Sequence, residues 1–270
     1  MAYASIAAGL LAAMCWGTSD YLSRSQSERM GHYRTVVFSQ ISTLAILVLL
    51  VPVLGVPTIP ASLALIALLA AGVSNFFAFI FLYRAFHKGV VSVVAPVAYT
   101  YPAVTTILSI AFLGTLLTGF QSFAITAVIV GVLLVSTRFS ELRASLGGRG
   151  APNLTAGIGS AVGAALFFGV AYLGVGYAAP LVSLVLPAII LRIVGVGAGA
   201  ALSPVFKASV KPSRNDFSKT IWVMGVFEAI GFLSFTFGIS GGGGSLPIVA
   251  ALSGMGGAVA TTYAFAFLRE

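Results

Sequence analysis

Long apolar runs joined by short polar hairpins make up nearly all of this chain. Nine runs of spanning length lie near residues 3–22, 35–54, 62–83, 90–112, 118–137, 154–176, 181–202, 219–239 and 246–268. A helix needs about 20 consecutive apolar residues to cross a bilayer. No run shows the short-range alternation of an outer-membrane barrel strand. The pattern predicts an all-α polytopic membrane protein whose spans each satisfy their own backbone hydrogen bonds. Pro52, Pro57 and Pro60 blur the exit of the second run. The longest polar connections, Pro204–Lys219 and Arg138–Asn153, are too short to hold a soluble domain.

Composition narrows the class further. Hydrophobic residues make up 59% and charged residues 7% of the 270 residues, and mean hydropathy is +1.08. A soluble globule carries about a quarter charged residues, and a disordered chain is poor in apolar ones, so both are excluded. Cys15 is the single cysteine, which rules out an internal disulfide or a multi-cysteine metal site. The first run starts at Ala2 without a basic leader, so it reads as a retained helix and not a cleaved signal.

The net charge is +8, and its placement explains it. Basic residues fall in alternate hairpins: Arg24, Arg29 and Arg34; Arg84 and Lys88; Arg138, Arg143 and Arg149; Lys207, Lys211, Arg214 and Lys219; then Arg269. The hairpins near 55–61, 113–118, 177–180 and 240–245 have none. Lys and Arg in short loops mark the cytoplasmic side. With nine spans the N-terminus is expected outside. No basic stripe with interleaved aromatics appears, so nucleic acid is not an expected partner.

The first half recurs in the second. Ala12–Gly17 aligns with Ala164–Gly169 at an offset of 152, and Ala111–Thr115 with Ala266–Glu270 at an offset of 155. A repeat of five spans turns its second copy upside down, as in many secondary transporters. The expected layout is a first repeat over 1–137, a cytoplasmic linker over 138–153 and a second repeat over 154–270. By this alignment the counterpart of 118–137, a tenth helix, would come after Glu270 and is absent from this chain. A nine-helix protein is the alternative.

In these features the chain resembles the EamA-like transporter family of the drug/metabolite transporter superfamily. The resemblance rests on Trp16-Gly17 with its echo Phe168-Gly169, and on Arg192 with its first-half counterpart Gln40. Pro102 lies thirteen residues before Thr115, the family's proline-to-glutamate spacing, and Glu270 fits the family's glutamate in the second copy. Thr115 stands where the first copy would have that glutamate, and Gly257 where the second would have the proline. The resemblance implies ten helices in two inverted bundles, a central path, alternating access and cytoplasmic termini. The last point conflicts with the charge pattern, which is retained here.

Ionisable groups inside a span are costly and functional by default, and three stand out. Asp20 ends the first run; it is either an interfacial carboxylate paired with Arg24 or a group taking a coupling proton. Arg192 keeps its charge at any reachable pH; it either pairs with Glu228 or binds a carboxylate or phosphate. Glu228, mid-run, suits proton coupling unless that pair makes it structural. Trp16, Asn75, Tyr99 and Tyr101 are further path candidates. The two tyrosines are two apart, so at most one is expected to face the path on a regular helix. Pro96 and Pro102 predict a kinked or broken fourth helix. Gly159 with Gly163, and Gly195 with Gly199, form small-xxx-small faces suited to close packing or a homodimer. Gly241–Gly244 read as a turn or hinge and not a phosphate loop. His32 and His87 fall in basic hairpins and suggest no metal site.

No catalytic cluster or cofactor motif is present, so an enzyme is not expected and no cofactor is implied. The expected function is secondary transport of a small polar or amphipathic metabolite across the cytoplasmic membrane, with proton coupling as an option. The bilayer and the metabolite are the expected partners. A channel or a non-transporting membrane scaffold or assembly protein is the alternative.

Overall fold

A computed structural model describes residues 2–55, 62–127, 130–131, 134, 156–213, 216–240 and 245–268. The expected linker 138–153, Gly241–Gly244, Arg214, Arg269, Glu270 and most of 128–137 lie outside the described residues.

Every regular element is helical. In chain order they are α1 (Ala2–Met30), α2 (His32–Leu54), α3 (Ser62–Lys88), α4 (Val91–Ala98) and α5 (Tyr101–Leu113). In α6 the described residues 119–127, 130–131 and 134 are helical. Then come α7 (Ile158–Ala178), α8 (Leu186–Leu202), α9 (Lys219–Ile239), α10 (Ser245–Ser253) and α11 (Gly256–Tyr263). Six helical stretches are long and apolar enough to cross a membrane: His32–Leu54, Ser62–Lys88, Val91–Leu113, Ile158–Leu181, Lys219–Ile239 and Leu246–Phe267. The chain is therefore an all-α, multi-pass membrane protein.

Of the nine expected runs, 3–22, 118–137 and 181–202 are not among these six. The run 181–202 becomes a helix only from Leu186, because Val182 is extended after a single 3-10 turn. The run 118–137 is described at 118–127, 130–131 and 134, and it opens with a reciprocal cap. Thr118 N–H donates to Gln121 Oε1 at 2.9 Å, and Gln121 N–H donates to Thr118 Oγ1 at 3.2 Å, which satisfies two of the helix's free donors. The first run extends past its expected end, since α1 is 29 residues long. At 1.5 Å per residue it reaches about 43 Å, more than the roughly 30 Å hydrocarbon core.

The two halves of α1 have different chemistry. Its first half is apolar and exposes Tyr3, Leu10, Leu11 and Met14, a lipid-facing surface. Its second half carries Ser19, Asp20, Ser23, Gln26 and Ser27, all buried and all at helical spacing on one face. On α2, Thr35, Ser39, Gln40, Ser42 and Thr43 form a second buried polar stripe. Gly31, at φ +83°, turns α1 into α2 within one residue, a conformation that glycine adopts without steric cost.

Two spans are interrupted. α4 and α5 break at Tyr99–Thr100, and α10 and α11 break at Gly254–Met255. The breaks are 155 residues apart, the offset found between Ala111–Thr115 and Ala266–Glu270. Pro102 opens α5, where its missing N–H costs nothing; it sits at a helix start and not at an interior kink. Pro96 lies inside α4. The breaks pack on each other. A Cβ on Gly254 would come 2.6 Å from Pro102 Cγ, and one on Gly257 2.8 Å from Tyr99 Cβ. Only glycine allows that approach.

The largest packing surfaces join α1 to α9 and α3 to α7, pairs that exchange under the repeat offset. Two glycine contacts exchange likewise. A Cβ on Gly17 would meet Val259 Cβ at 2.6 Å, and one on Gly169 would meet Val104 Cβ at 2.5 Å. The small-residue faces divide. Gly195 and Gly199 press α8 against Gln40 and Val37 of α2, Gly163 meets the Phe81 ring, and Gly159 faces open space.

The basic junctions gather at one end. Arg34 donates to the carbonyl of Ser209 and to Asp216 Oδ2, the latter at 2.7 Å. Arg24 donates to Gly89 O at 2.9 Å, Tyr33 to Gly199 O at 2.6 Å, and Ser218 to Gln26 Oε1 at 3.1 Å. These bonds tie the α1–α2, α3–α4 and α8–α9 junctions together.

Candidate substrate site

Near the midpoints of α1, α3, α8 and α9, the bundle interior holds two polar centres and a ring of aromatics. The first centre is built on Arg192, which is 1% exposed. Its Nη2 donates to Glu228 Oε2 at 3.1 Å. Its Nη1 donates to Gln40 Oε1 at 2.7 Å and to Asn75 Oδ1 at 3.4 Å. Its Cζ lies 5.3 Å from the Phe79 ring centre and 5.4 Å from that of Phe232. The guanidinium is thus sandwiched between two rings, a geometry that stabilises a desolvated cation.

The second centre is Asp20, 2% exposed. Tyr99 Oη donates to its Oδ2 at 2.7 Å. The expected pair with Arg24 does not describe it: Arg24 Nε instead contacts Glu28 Oε1 at 2.6 Å, one turn further along α1. Asp20 points inward with the α1 polar stripe, whereas Arg24 and Glu28 lie at the outer end. The interfacial reading of Asp20 is corrected to a buried one.

Between the two centres lies a narrow cavity. Asp20 and Glu228 line it, together with Trp16, Phe79, Tyr99, Tyr101, Phe168 and Tyr172, and with Leu82 and Ala98. Its free space, about 20 Å³, holds one water molecule and no metabolite. The rings fill the remainder. Trp16 stacks on Tyr172 at 5.5 Å, Tyr172 on Phe168 at 5.7 Å, and Tyr101 meets Tyr172 at 4.9 Å. Tyr101 Oη shares a hydrogen bond of 2.6 Å with Ser253 Oγ, joining the two interrupted spans beside the cavity.

Of the residues singled out in the sequence, Trp16, Asp20, Tyr99, Tyr101 and Glu228 meet at this cavity. Arg192 and Asn75 stand behind it, joined to Glu228 through Arg192. Pro96 and Pro102 shape the interrupted span. Both tyrosines line the cavity, against the expectation that at most one would. The break at Tyr99–Thr100 abolishes the helical phase between them. Phe79, Phe168, Tyr172 and Ser253 were not among the sequence candidates for the path. The repeat offset held a signal for three of them. Tyr172 is 152 residues after Asp20, Phe168 is 152 after Trp16, and Phe232 is 153 after Phe79. Ser253 carried no signal among the many serines of the spans.

Among the described residues no group of three or more His, Cys, Asp or Glu could hold a metal ion. The rings of His32 and His87 lie 6.1 Å apart and tilted at the basic end, and neither lines the cavity.

Comparison with known proteins places this arrangement. A protein of known crystal structure superposes with a TM-score of 0.72 at 17% identity, covering 97% of this chain and 89% of the other, a likeness of fold alone. No curated protein sequence matches the chain. Residues 4–137 match the EamA-like transporter family, a family of transporters and not of enzymes. Family and multi-pass architecture together support a transport role, with the bilayer and a transported small molecule as partners. Through residues 4–137, the chain belongs to the EamA-like transporter family.

Proposed function

We propose that the chain is a secondary transporter that moves a small polar or amphipathic metabolite across the cytoplasmic membrane by alternating access. One observation carries the reading. A narrow cavity lined by aromatics and two carboxylates lies near the midpoints of the helices, beside the crossing of two interrupted spans. Broken helices meeting at a midplane site are the usual construction of such transporters. The free space of about 20 Å³ fits an occluded, unloaded conformation, in which the rings part before a substrate enters.

Two repeats of opposite orientation account for the arrangement, the first over 1–137 and the second over 154–270. The matched breaks at Tyr99–Thr100 and Gly254–Met255 support this, as do the exchanged contacts of Gly17 and Gly169. The buried polar stripes of α1 and α2 offer a route from the cavity to the basic end, which the positive charge assigns to the cytoplasm. The N-terminus then lies outside. Asp20 is the better placed of the two carboxylates to carry a coupling proton, because Glu228 is held by Arg192. Three of the four candidate dimer glycines are used inside the chain, so nothing in this reading needs a second copy.

The test compares intracellular and medium metabolite pools in cells expressing the full chain with cells carrying empty vector. A solute whose saturable movement depends on the protein is expected. Unchanged pools, or unitary currents in planar bilayers, would overturn the reading.

A further inference from the structure

We propose that this cavity takes a small organic cation: an amine or quaternary ammonium group carried on an apolar or aromatic body. The proposal deepens the transport reading and rests on it.

Charge comes first. The lining includes Asp20 and Glu228 but no Lys or Arg. Among the described residues Arg192 is the one basic residue within the spans near the site, and its charge is already engaged. Glu228, Gln40 and Asn75 hold its two terminal nitrogens, and its Cζ lies over the rings of Phe79 and Phe232. Its charge balances that of Glu228. The Asp20 carboxylate stays unbalanced. Its Oδ2 accepts from Tyr99, and no ion pair to it is found among the described residues. A buried carboxylate without a counter-charge is costly, and a cationic ligand at the cavity removes that cost. An anion would meet two carboxylates there, and a neutral solute would leave Asp20 as it is.

The aromatic lining points to the same ligand. Trp16, Tyr99, Tyr101 and Tyr172 line the cavity together with the carboxylate, and aromatic rings attract cations through their negative quadrupoles. The chain already uses this chemistry next door, where two rings sandwich the Arg192 guanidinium. A strongly hydrated inorganic ion would gain little from such walls. An organic cation gains both from the ring faces and from burial of its apolar body.

The test uses the purified full chain in detergent and three probes of matched size. Benzyltrimethylammonium carries the charge, 2,2-dimethylpropylbenzene is its neutral isostere, and phenylacetate is an anion. Titration calorimetry is expected to show saturable binding of the cation, with the other two at least about tenfold weaker. Asp20→Asn is expected to weaken cation binding by about tenfold or more. Trp16→Leu should weaken it and Trp16→Phe should restore part of it, a pattern that misfolding would not give. Melting temperatures of each variant show that the fold persists. Equal binding of phenylacetate or the isostere overturns the proposal. So does an Asp20→Asn variant that binds the cation undiminished, or no cation binding at all. The transport reading fails separately: a cation that binds while no solute moves overturns transport and leaves the site. A neutral or anionic solute that moves, uninhibited by cations, leaves transport and overturns the site.

Discussion

Glu228 and Asp20 are both buried carboxylates that line one cavity, yet their surroundings differ in kind. Glu228 sits on α9 against a guanidinium that also holds α2 and α3 through Gln40 and Asn75. Four helices therefore meet through one cation. Asp20 sits on α1 with a single phenol for company. The first carboxylate is paired with a cation, and to the second the described residues bring a phenol and no cation. A buried charge that is fully paired fixes a fold. One left partly paired at a cavity marks where a ligand or proton completes the set.

The strongest way to break this contrast is to remove the shared cation. Arg192→Ala leaves Glu228 buried without a counter-charge and frees the amide partners on α2 and α3. A loss of about 3–5 kcal/mol is expected, visible as poor yield and a lowered melting temperature in detergent. Arg192→Met combined with Glu228→Gln removes both charges together and should recover most of that loss. If the double variant is no better than Arg192→Ala, the pair is not what joins these helices.

A smaller effect is expected at the unbalanced site. Tyr99→Phe takes the only hydrogen bond from Asp20 that the described residues supply. The expected cost is about 1.5–3 kcal/mol, measured by thermal unfolding. The same change in an Asp20→Asn background should cost less, because an amide loses less than a carboxylate when a phenol is withdrawn. Equal costs in both backgrounds would mean that Asp20 is neutral as folded, and the contrast with Glu228 would weaken.

Smaller still is the tie between the interrupted spans. Tyr101→Phe removes the 2.6 Å bond to Ser253 and is expected to cost about 1 kcal/mol. The three rings packed on Tyr101, those of Tyr99, Phe168 and Tyr172, keep the side chain in place. If that bond helps hold the cavity closed, the variant should exchange substrate faster than the parent in proteoliposomes. Slower exchange would show that the bond belongs to the open state instead.

The charged members of the site were legible because an ionisable residue stands out in an apolar run: Asp20, Arg192 and Glu228 could each be named from the pattern. Their grouping was not. Arg192 admitted either a pair or an anion site, and only the placement of α8 against α2 and α9 shows its charge engaged. The interrupted spans were hidden for a different reason. Hydropathy runs unbroken through Val91–Leu113 and Leu246–Phe267, because Tyr99–Thr100 and Gly254–Met255 are no more polar than their neighbours. Pro102 pointed to a disturbance in the first and Gly257 gave none in the second. The reason for Gly257 appears only in three dimensions, where Tyr99 occupies the place its side chain would take. The aromatic lining was concealed by abundance, since 20 Phe and 9 Tyr give every ring an equally good packing explanation. The repeat was the usable signal, pairing Asp20 with Tyr172 and Phe79 with Phe232 at nearly the same offset.

The smallest stability effect is the most informative, because one chemical change can be made at both carboxylates. Glu228→Gln keeps shape and an acceptor for Arg192 but leaves a buried cation unbalanced, so it should destabilise by about 3 kcal/mol or more. Asp20→Asn also keeps shape, and its amide oxygen can still accept from Tyr99. It removes a charge that nothing nearby balances, so the variant should lose no stability, and its melting should stay level or rise. Uptake into proteoliposomes should nevertheless fall to background in Asp20→Asn, since the group that would meet the substrate is gone. Stability and transport would then separate at Asp20 and fall together at Glu228. Equal destabilisation by the two swaps would show that Asp20 has a structural counter-charge, and the assignment of roles would have to be reversed.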